Sequence, residues 1–233
     1  MFKKYTTLIA LTLAGCCLPS TASAYYLIYS PTVEYGETEI ELYGQYVSDD
    51  NALIDTSQQY LIEVGKGFTP KLFIEAKVVF EKKPNDDLET EAIAFEGAYQ
   101  ITEQGEYSWD LGLLGEAEYS LADDELAEIA FGPILATDLG SNMTFTTNLL
   151  AEYESEEKKI EGKVNAQLKW RLSPAFEPAI EVYANEYSKS IGPVIMGKLS
   201  TDGSKIGYEL GWLIGMDDES TDNTLKFLVE YEF

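Results

Sequence analysis

The chain has 233 residues, 41 of them acidic against 16 basic, for a formal net charge of −25 at pH 7, and it contains no histidine. That balance excludes nucleic acid as a partner, because phosphate binding needs clustered lysine and arginine and Arg171 is the only arginine. Without histidine, the usual acid/base and zinc chemistries lose their main residue. An aromatic content of 12% and sustained alternation along the chain oppose the disorder that such acidity otherwise favours.

Lys3 and Lys4 precede an apolar run from Leu8 to Leu18 that leads to Ala22-Ser23-Ala24. This order predicts a secretory signal peptide over 1–24, cleaved to leave a chain starting at Tyr25. Leu13-Ala14-Gly15-Cys16 resembles the lipobox of bacterial lipoproteins and offers lipidation of Cys16 as the competing route. Both cysteines, Cys16 and Cys17, lie in this segment, so the processed chain carries no thiol. Its basic count falls from 16 to 14, and 14 − 41 gives a charge of −27. No later run reaches the ~20 apolar residues of a membrane helix, so any crossing of a bilayer must use strands.

Residues 25–36 are tyrosine-rich and broken by Pro31, which reads as an N-terminal arm or a short extra strand ahead of a barrel over 37–233. Period-two alternation then becomes regular. Ile40, Leu42 and Tyr46 share the apolar face of the first strand, and Tyr60, Ile62 and Val64 that of the second. Gly67-Phe68-Thr69-Pro70 marks a turn before a third strand with Leu72, Ile74, Val78 and Phe80 on one face. Past the charged loop from Glu81 to Glu89, Ile93, Phe95 and Tyr99 mark the fourth. A turn near Gly105 leads to the fifth, read from Tyr107 and Trp109 through Leu111 and Leu113 to Tyr119. The sixth, around Leu126 to Leu135, should place Pro133 near its end. Phe145, Leu149 and Tyr153 belong to the seventh, and Ile160, Val164, Leu168 and Trp170 to the eighth. The ninth carries Ile180 and Val182, while the tenth contains Gly192-Pro193 and has no clear parity. Asp202-Gly203 is a hairpin signal before the eleventh, with Ile206, Leu210, Trp212 and Ile214.

The final stretch, Leu225 to Phe233, sets Leu225, Phe227, Val229, Tyr231 and Phe233 against Lys226, Leu228, Glu230 and Glu232. An alternating last strand ending on phenylalanine resembles the closing strand of bacterial outer-membrane β-barrels, although Leu228 stands about where that signal usually has glycine. The fold expected is an all-β, closed, antiparallel up-and-down transmembrane barrel of about twelve strands, with ten to fourteen admitted. The resemblance implies a Gram-negative outer membrane as location. It also implies lipid and lipopolysaccharide as surroundings and the barrel assembly machinery as a partner of the last strand. Aromatic residues on the apolar face sort by height as two membrane interfaces require. Tyr46, Tyr60, Phe80, Tyr119 and Tyr153 fall at outer strand ends, and Tyr99, Tyr107, Trp109, Trp170, Tyr231 and Phe233 at inner ends. Cross-strand aromatic pairs of a soluble barrel or sandwich are the competing explanation.

The opposite face presents Glu39, Glu41, Glu63, Glu75, Glu96, Asp110, Glu116, Glu118, Glu128, Glu152, Glu161, Glu177, Glu181, Glu209, Glu230 and Glu232, against Lys71, Lys77, Lys163, Lys169 and Lys226. Unpaired carboxylates do not ionise in a dry core, so this face predicts a hydrated, acidic lumen that favours small cations or cationic solutes, as acidic rings do in cation channels. The alternative is a lumen filled by Glu-Lys pairs that conducts nothing and serves as a structural or interaction barrel, presenting acidic outer loops to a partner or to lipopolysaccharide. By strand number and length the chain resembles small twelve-stranded channels of the oligogalacturonate- and sialate-porin type. Those are expected to carry basic tracks, the opposite sign to this sequence. Barrel phospholipases, omptin-type proteases and lipid A deacylases use histidine, so no enzyme is expected; nor is a cofactor or a dedicated metal site. Weak calcium or magnesium contact at Asp123-Asp124 and at Asp217 to Asp222 uses the oxygen ligands those ions prefer.

Overall fold

The computed structural model describes residues 25–156, 158–201 and 203–233, and the expected signal peptide over 1–24 lies outside them. Twelve strands follow one another: β1 (Thr38–Ser48), β2 (Gln58–Thr69), β3 (Leu72–Lys82), β4 (Glu89–Gln100), β5 (Asp110–Ser120), β6 (Glu125–Asp138), β7 (Met143–Glu154), β8 (Lys159–Trp170), β9 (Glu177–Ala184), β10 (Lys189–Thr201), β11 (Ser204–Gly215) and β12 (Asn223–Glu232). Each pairs antiparallel with its neighbours in sequence, and β1 closes on β12 through a ladder from Glu39↔Glu232 to Ser48↔Asn223. Closure removes every free sheet edge. No helix among the described residues is long and apolar enough to cross a membrane, which leaves strand crossing untouched.

Alternation gives each strand one face to each side of the wall. Ile40, Leu42, Ile62, Val64, Phe95, Phe131, Leu149, Leu210, Trp212, Leu225 and Val229 stand exposed on the outside. Tyr43, Leu61, Lys77, Leu114, Ile134, Asn148, Glu181, Leu213 and Lys226 point inward and are at most 2% exposed. A wall that is greasy outside and polar inside inverts the pattern of a soluble protein and suits a lipid surround. Because twelve is even, Thr38 and Glu232 lie at one end with the connections 70–71, 101–109, 139–142, 171–176 and 202–203. We call it the turn end. The loop end carries 49–57, 83–88, 121–124, 155–158, 185–188 and 216–222.

Local chemistry departs from the sequence expectation in two places, at Tyr107 with Trp109 and at Pro133. Tyr107 and Trp109 belong to the connection between β4 and β5 rather than to β5, because Thr102 Oγ1 accepts the Leu111 N–H at 2.8 Å and Gly105 turns the chain at φ +73°. Pro133 sits inside β6 instead of at its end, and Gly192-Pro193 sits inside β10. At both Gly-Pro sites the ladder skips two residues without changing register: Phe131↔Ala151 resumes at Ile134↔Asn148, and Ile191↔Ile214 resumes at Val194↔Gly211. Proline has no N–H to donate, and the preceding glycine lets the neighbouring carbonyl come close. A Cβ on Gly132 would lie 1.9 Å from Leu149 O, and one on Gly192 1.8 Å from Trp212 O.

The segment 25–36 is not a thirteenth strand. It has no ladder to the wall and runs inside the barrel, with Tyr25, Tyr26 and Leu27 each 7% exposed. Tyr25 reaches Glu118 near the loop end, and Val33 reaches Gln100 at the turn end. Gly36, at φ +85°, carries the chain into β1 and is pinned by Gly36 N–H to Gly67 O at 2.9 Å.

Gly132→Val and Gly192→Val should each destabilise the barrel by about 1–3 kcal/mol, the cost of forcing a side chain into occupied space. Gly162, where a Cβ meets nothing within 4 Å, should tolerate Gly162→Ala within about 0.5 kcal/mol. Heat-modifiable gel mobility, followed with temperature, measures all three.

Candidate functional site

The lumen is organised by two buried lysines. Lys77 on β3 contacts Glu96 at 2.6 Å, Glu116 at 3.1 Å and Glu63 at 3.4 Å. Lys226 on β12 contacts Glu209 at 2.5 Å and Glu181 at 2.6 Å, and donates to Tyr183 Oη at 2.9 Å. Around these, Lys163 pairs with Glu152 at 3.0 Å, Lys169 with Glu177 at 3.1 Å, and Lys159 with Glu161 at 3.3 Å. At the turn end, Lys198 pairs with Glu230 and Glu232, and Lys205 with Glu232 and Glu34. Glu37, Glu230 and Glu232 bring carboxylate oxygens within 4.8 Å of one another there, with the two lysines as counterions. Burial first, and then the Glu232 carboxylate, push the Glu37 carboxyl up to about 7.

These lysines do not cover the wall. Glutamates face glutamates directly across the ladder: Glu230↔Glu41↔Glu63 over β12, β1 and β2; Glu75↔Glu96↔Glu116 over β3, β4 and β5; and Glu118↔Glu128↔Glu154 over β5, β6 and β7. Glu39↔Glu232 and Glu152↔Glu161 add two more pairs. Like charges directly opposite one another destabilise a sheet. Among the described residues, Glu39, Glu41, Glu75, Glu118 and Glu128 have no lysine within ion-pair distance. Glu63 Oε1 is buried with no protein hydrogen-bond partner.

The arm fills the space between the walls. Lys226 Nζ donates to Tyr26 O at 2.8 Å, Asn165 Nδ2 to Leu27 O at 3.2 Å, and Asn148 clamps Tyr29 from both sides. In that clamp Nδ2 donates to Tyr29 O at 2.9 Å while Oδ1 accepts the Tyr29 N–H at 2.8 Å. Tyr25 Oη donates to Glu118 at 2.5 Å, and Lys77 donates to Tyr29 Oη at 3.2 Å. Apolar patches under the arm complete its seat: Tyr43, Leu61, Val79 and Ala92 around Tyr25 and Leu27, and Leu114, Ile134 and Leu150 around Tyr29.

Of the expected lumen residues, Glu39, Glu41, Glu63, Glu75, Glu116, Glu118, Glu161, Glu181, Glu209 and Glu230 occupy inward positions of their strands. Asp110 sits at the turn-end rim, accepting the Gly105 N–H at 2.7 Å. Lys71 is in the β2–β3 turn beside Glu103, outside the lumen wall. On the outer wall, Tyr46, Phe80, Tyr119 and Tyr153 lie at loop-end strand ends and Tyr99, Trp170, Tyr231 and Phe233 at turn-end ones. Trp109 stacks edge-on against Phe145 beside the latter group. Sequence reasoning missed Lys198 and Lys205, because the parity of β10 was hidden by its Gly-Pro, although Ile206 outward already implied Lys205 inward. It also passed over Asn148 and Asn165, uncharged inward residues that bond the arm, and Tyr183, which bonds Glu181 and Lys226 and packs on Tyr26.

No family model matches the chain, and no curated protein does. Solved structures do. A NanC porin aligns with a TM-score of 0.56 at 10% identity over 83% of this chain and 98% of that one. A KdgM porin aligns with a TM-score of 0.59 at 8% identity over 84% and 99%. The transport unit of the autotransporter AIDA-I from Escherichia coli aligns with a TM-score of 0.50 at 11% identity over 86% and 90%. The chain therefore has the fold of outer-membrane porins, a closed antiparallel barrel of twelve strands.

Lys226→Met leaves two buried carboxylates without their cation and should cost about 3–5 kcal/mol; adding Glu181→Gln should recover part of that in thermal unfolding. For Glu37 the raised value means that the folded chain holds a proton which the unfolded chain releases above about 4.5, so its favourable contribution fades as pH rises from there to about 7. Glu37→Gln should accordingly gain stability over the parent across that interval and keep the gain above it, and the two chains should unfold together below it.

Proposed function

We propose that this chain is a Gram-negative outer-membrane barrel, processed after Ala24, that admits small cations or cationic solutes to an acidic lumen. The greasy outer wall, its two aromatic belts and the porin fold support a bilayer as surroundings. The terminal strand supports insertion by the barrel assembly machinery. One observation carries the passage: the glutamate-on-glutamate ladder around the inner wall. A merely structural lumen gains nothing from like charges set opposite one another, whereas an arrangement that lowers stability while concentrating cations is the usual compromise of a functional site. Oligogalacturonate, the solute named with one similar porin, is anionic and does not suit this wall.

The filled interior favours a second reading, a barrel that conducts nothing and displays its acidic loop end to a partner. Full-length mature protein in planar bilayers under a salt gradient separates the two. Passage predicts channel events with a cation-signed reversal potential. Paired Glu41→Gln and Glu75→Gln should move that potential toward zero while raising thermal stability by about 0.2–1 kcal/mol for each relieved pair. Absence of events from correctly folded, heat-modifiable protein would favour the non-conducting barrel.

A further inference from the structure

We infer that the lumen is a binding site for an extended polypeptide segment, and that residues 25–33 of this chain are its occupant, seated as a removable plug. This deepens the passage proposed above and rests on it only for what unplugging releases; the binding site stands on geometry alone.

Three features of the wall are those of a peptide site. First, the grip is on the main chain. Asn148 holds both the N–H and the C=O of Tyr29, Asn165 and Lys226 donate to the carbonyls of Leu27 and Tyr26, Tyr43 Oη accepts the Tyr26 N–H at 3.2 Å, and Gln100 Oε1 accepts the Val33 N–H at 2.8 Å. Side chains from five different strands thus satisfy backbone groups that would otherwise be stranded in a narrow interior. Second, the wall carries apolar inward residues that a water-filled passage has no use for. Leu61, Val79, Leu114, Ile134, Leu150 and Leu213 are all buried, and all lie in the three clusters that include or pack against arm residues. Third, the occupant has no charged side chain over 25–33, and the principal ion pairs of the lumen are made within the wall. Its departure leaves those pairs in place.

The same segment is built to leave. It shares no strand ladder with the wall, so withdrawal breaks contacts made by side chains and leaves the closed sheet intact. Its tether is at one end: Gly36 N–H to Gly67 O and Gly67 N–H to Glu37 O, with Lys205 on Glu34 at 3.2 Å. Gly36 supplies the left-handed turn there. Nine extended residues span about 30 Å at roughly 3.3 Å each, comparable to the ~30 Å hydrocarbon thickness, so the arm is long enough to thread the crossing from the turn end.

The test compares the mature chain with a variant lacking residues 25–33 and uses a synthetic peptide of that sequence, fluorescently labelled. The truncated barrel should bind the peptide, the full chain should not because its site is occupied, and Asn148→Leu in the truncated barrel should weaken binding roughly tenfold. In bilayers the truncated barrel should carry at least about tenfold more average current, and the peptide should suppress it. Equal peptide binding by both chains, or by neither, overturns the site. Equal currents through both chains overturn the plug while the cation passage survives. Peptide binding without current through either chain supports the site and defeats the passage. Should the truncation fail to fold, full-length Leu27→Cys decides instead, since the native cysteines precede residue 25. Its thiol should be protected from a soluble maleimide and react about tenfold faster when Asn148→Leu is added; equal rates overturn the plug.

Discussion

Closure of the sheet is the constraint from which everything else in this protein follows. Once β1 pairs with β12, every inward side chain must share one narrow space with the inward side chains of all other strands. Period-two alternation gives no strand a way to turn its glutamates elsewhere, because a one-residue slip would bring the carboxylates to the lipid side and the leucines to the lumen. The interior therefore has to manage a large excess of negative charge, and it does so with very few cations. Lys77 and Lys226 each serve several carboxylates, and Lys163, Lys169, Lys198 and Lys205 tie down others nearer the ends.

What the lysines do not reach, the arm partly occupies. A tyrosine-rich segment with no charged side chain is well matched to such a wall. Its phenols bond both carboxylate and ammonium, as Tyr25 does with Glu118 and Tyr29 with Lys77, while its aliphatic atoms cover Leu61, Val79 and Leu114. Binding through the backbone makes the match general along the segment rather than dependent on one anchor. An acidic passage and a stopper without charged side chains are thus two aspects of one interior.

The strand plan was legible because alternation is a local property, repeated strongly enough to survive two Gly-Pro interruptions. Where it misled, a nonlocal contact was responsible. Tyr107 and Trp109 continue the alternation of β5 in sequence, yet Thr102 caps the strand at Leu111 and Trp109 instead packs on Phe145 of β7. Pro133 looks like a strand end by its chemistry, and Pro193 obscures the parity of its strand. They are tolerated inside strands because Gly132 and Gly192 admit the neighbouring carbonyls and the ladders on either side hold the register. Lys71 fits the lumen by parity but falls in a turn, where Glu103 takes it.

By itself, the order of residues determined the class of fold, the sidedness of each strand, the acidity of the inner face and the aromatic belts, since each depends only on spacing along the chain. Tertiary structure alone decided which carboxylates face one another, which share a lysine, and that the segment after the expected cleavage site lies within the barrel. Those facts depend on the register between strands and on where a tethered end comes to rest, and neither is encoded in any short stretch of sequence.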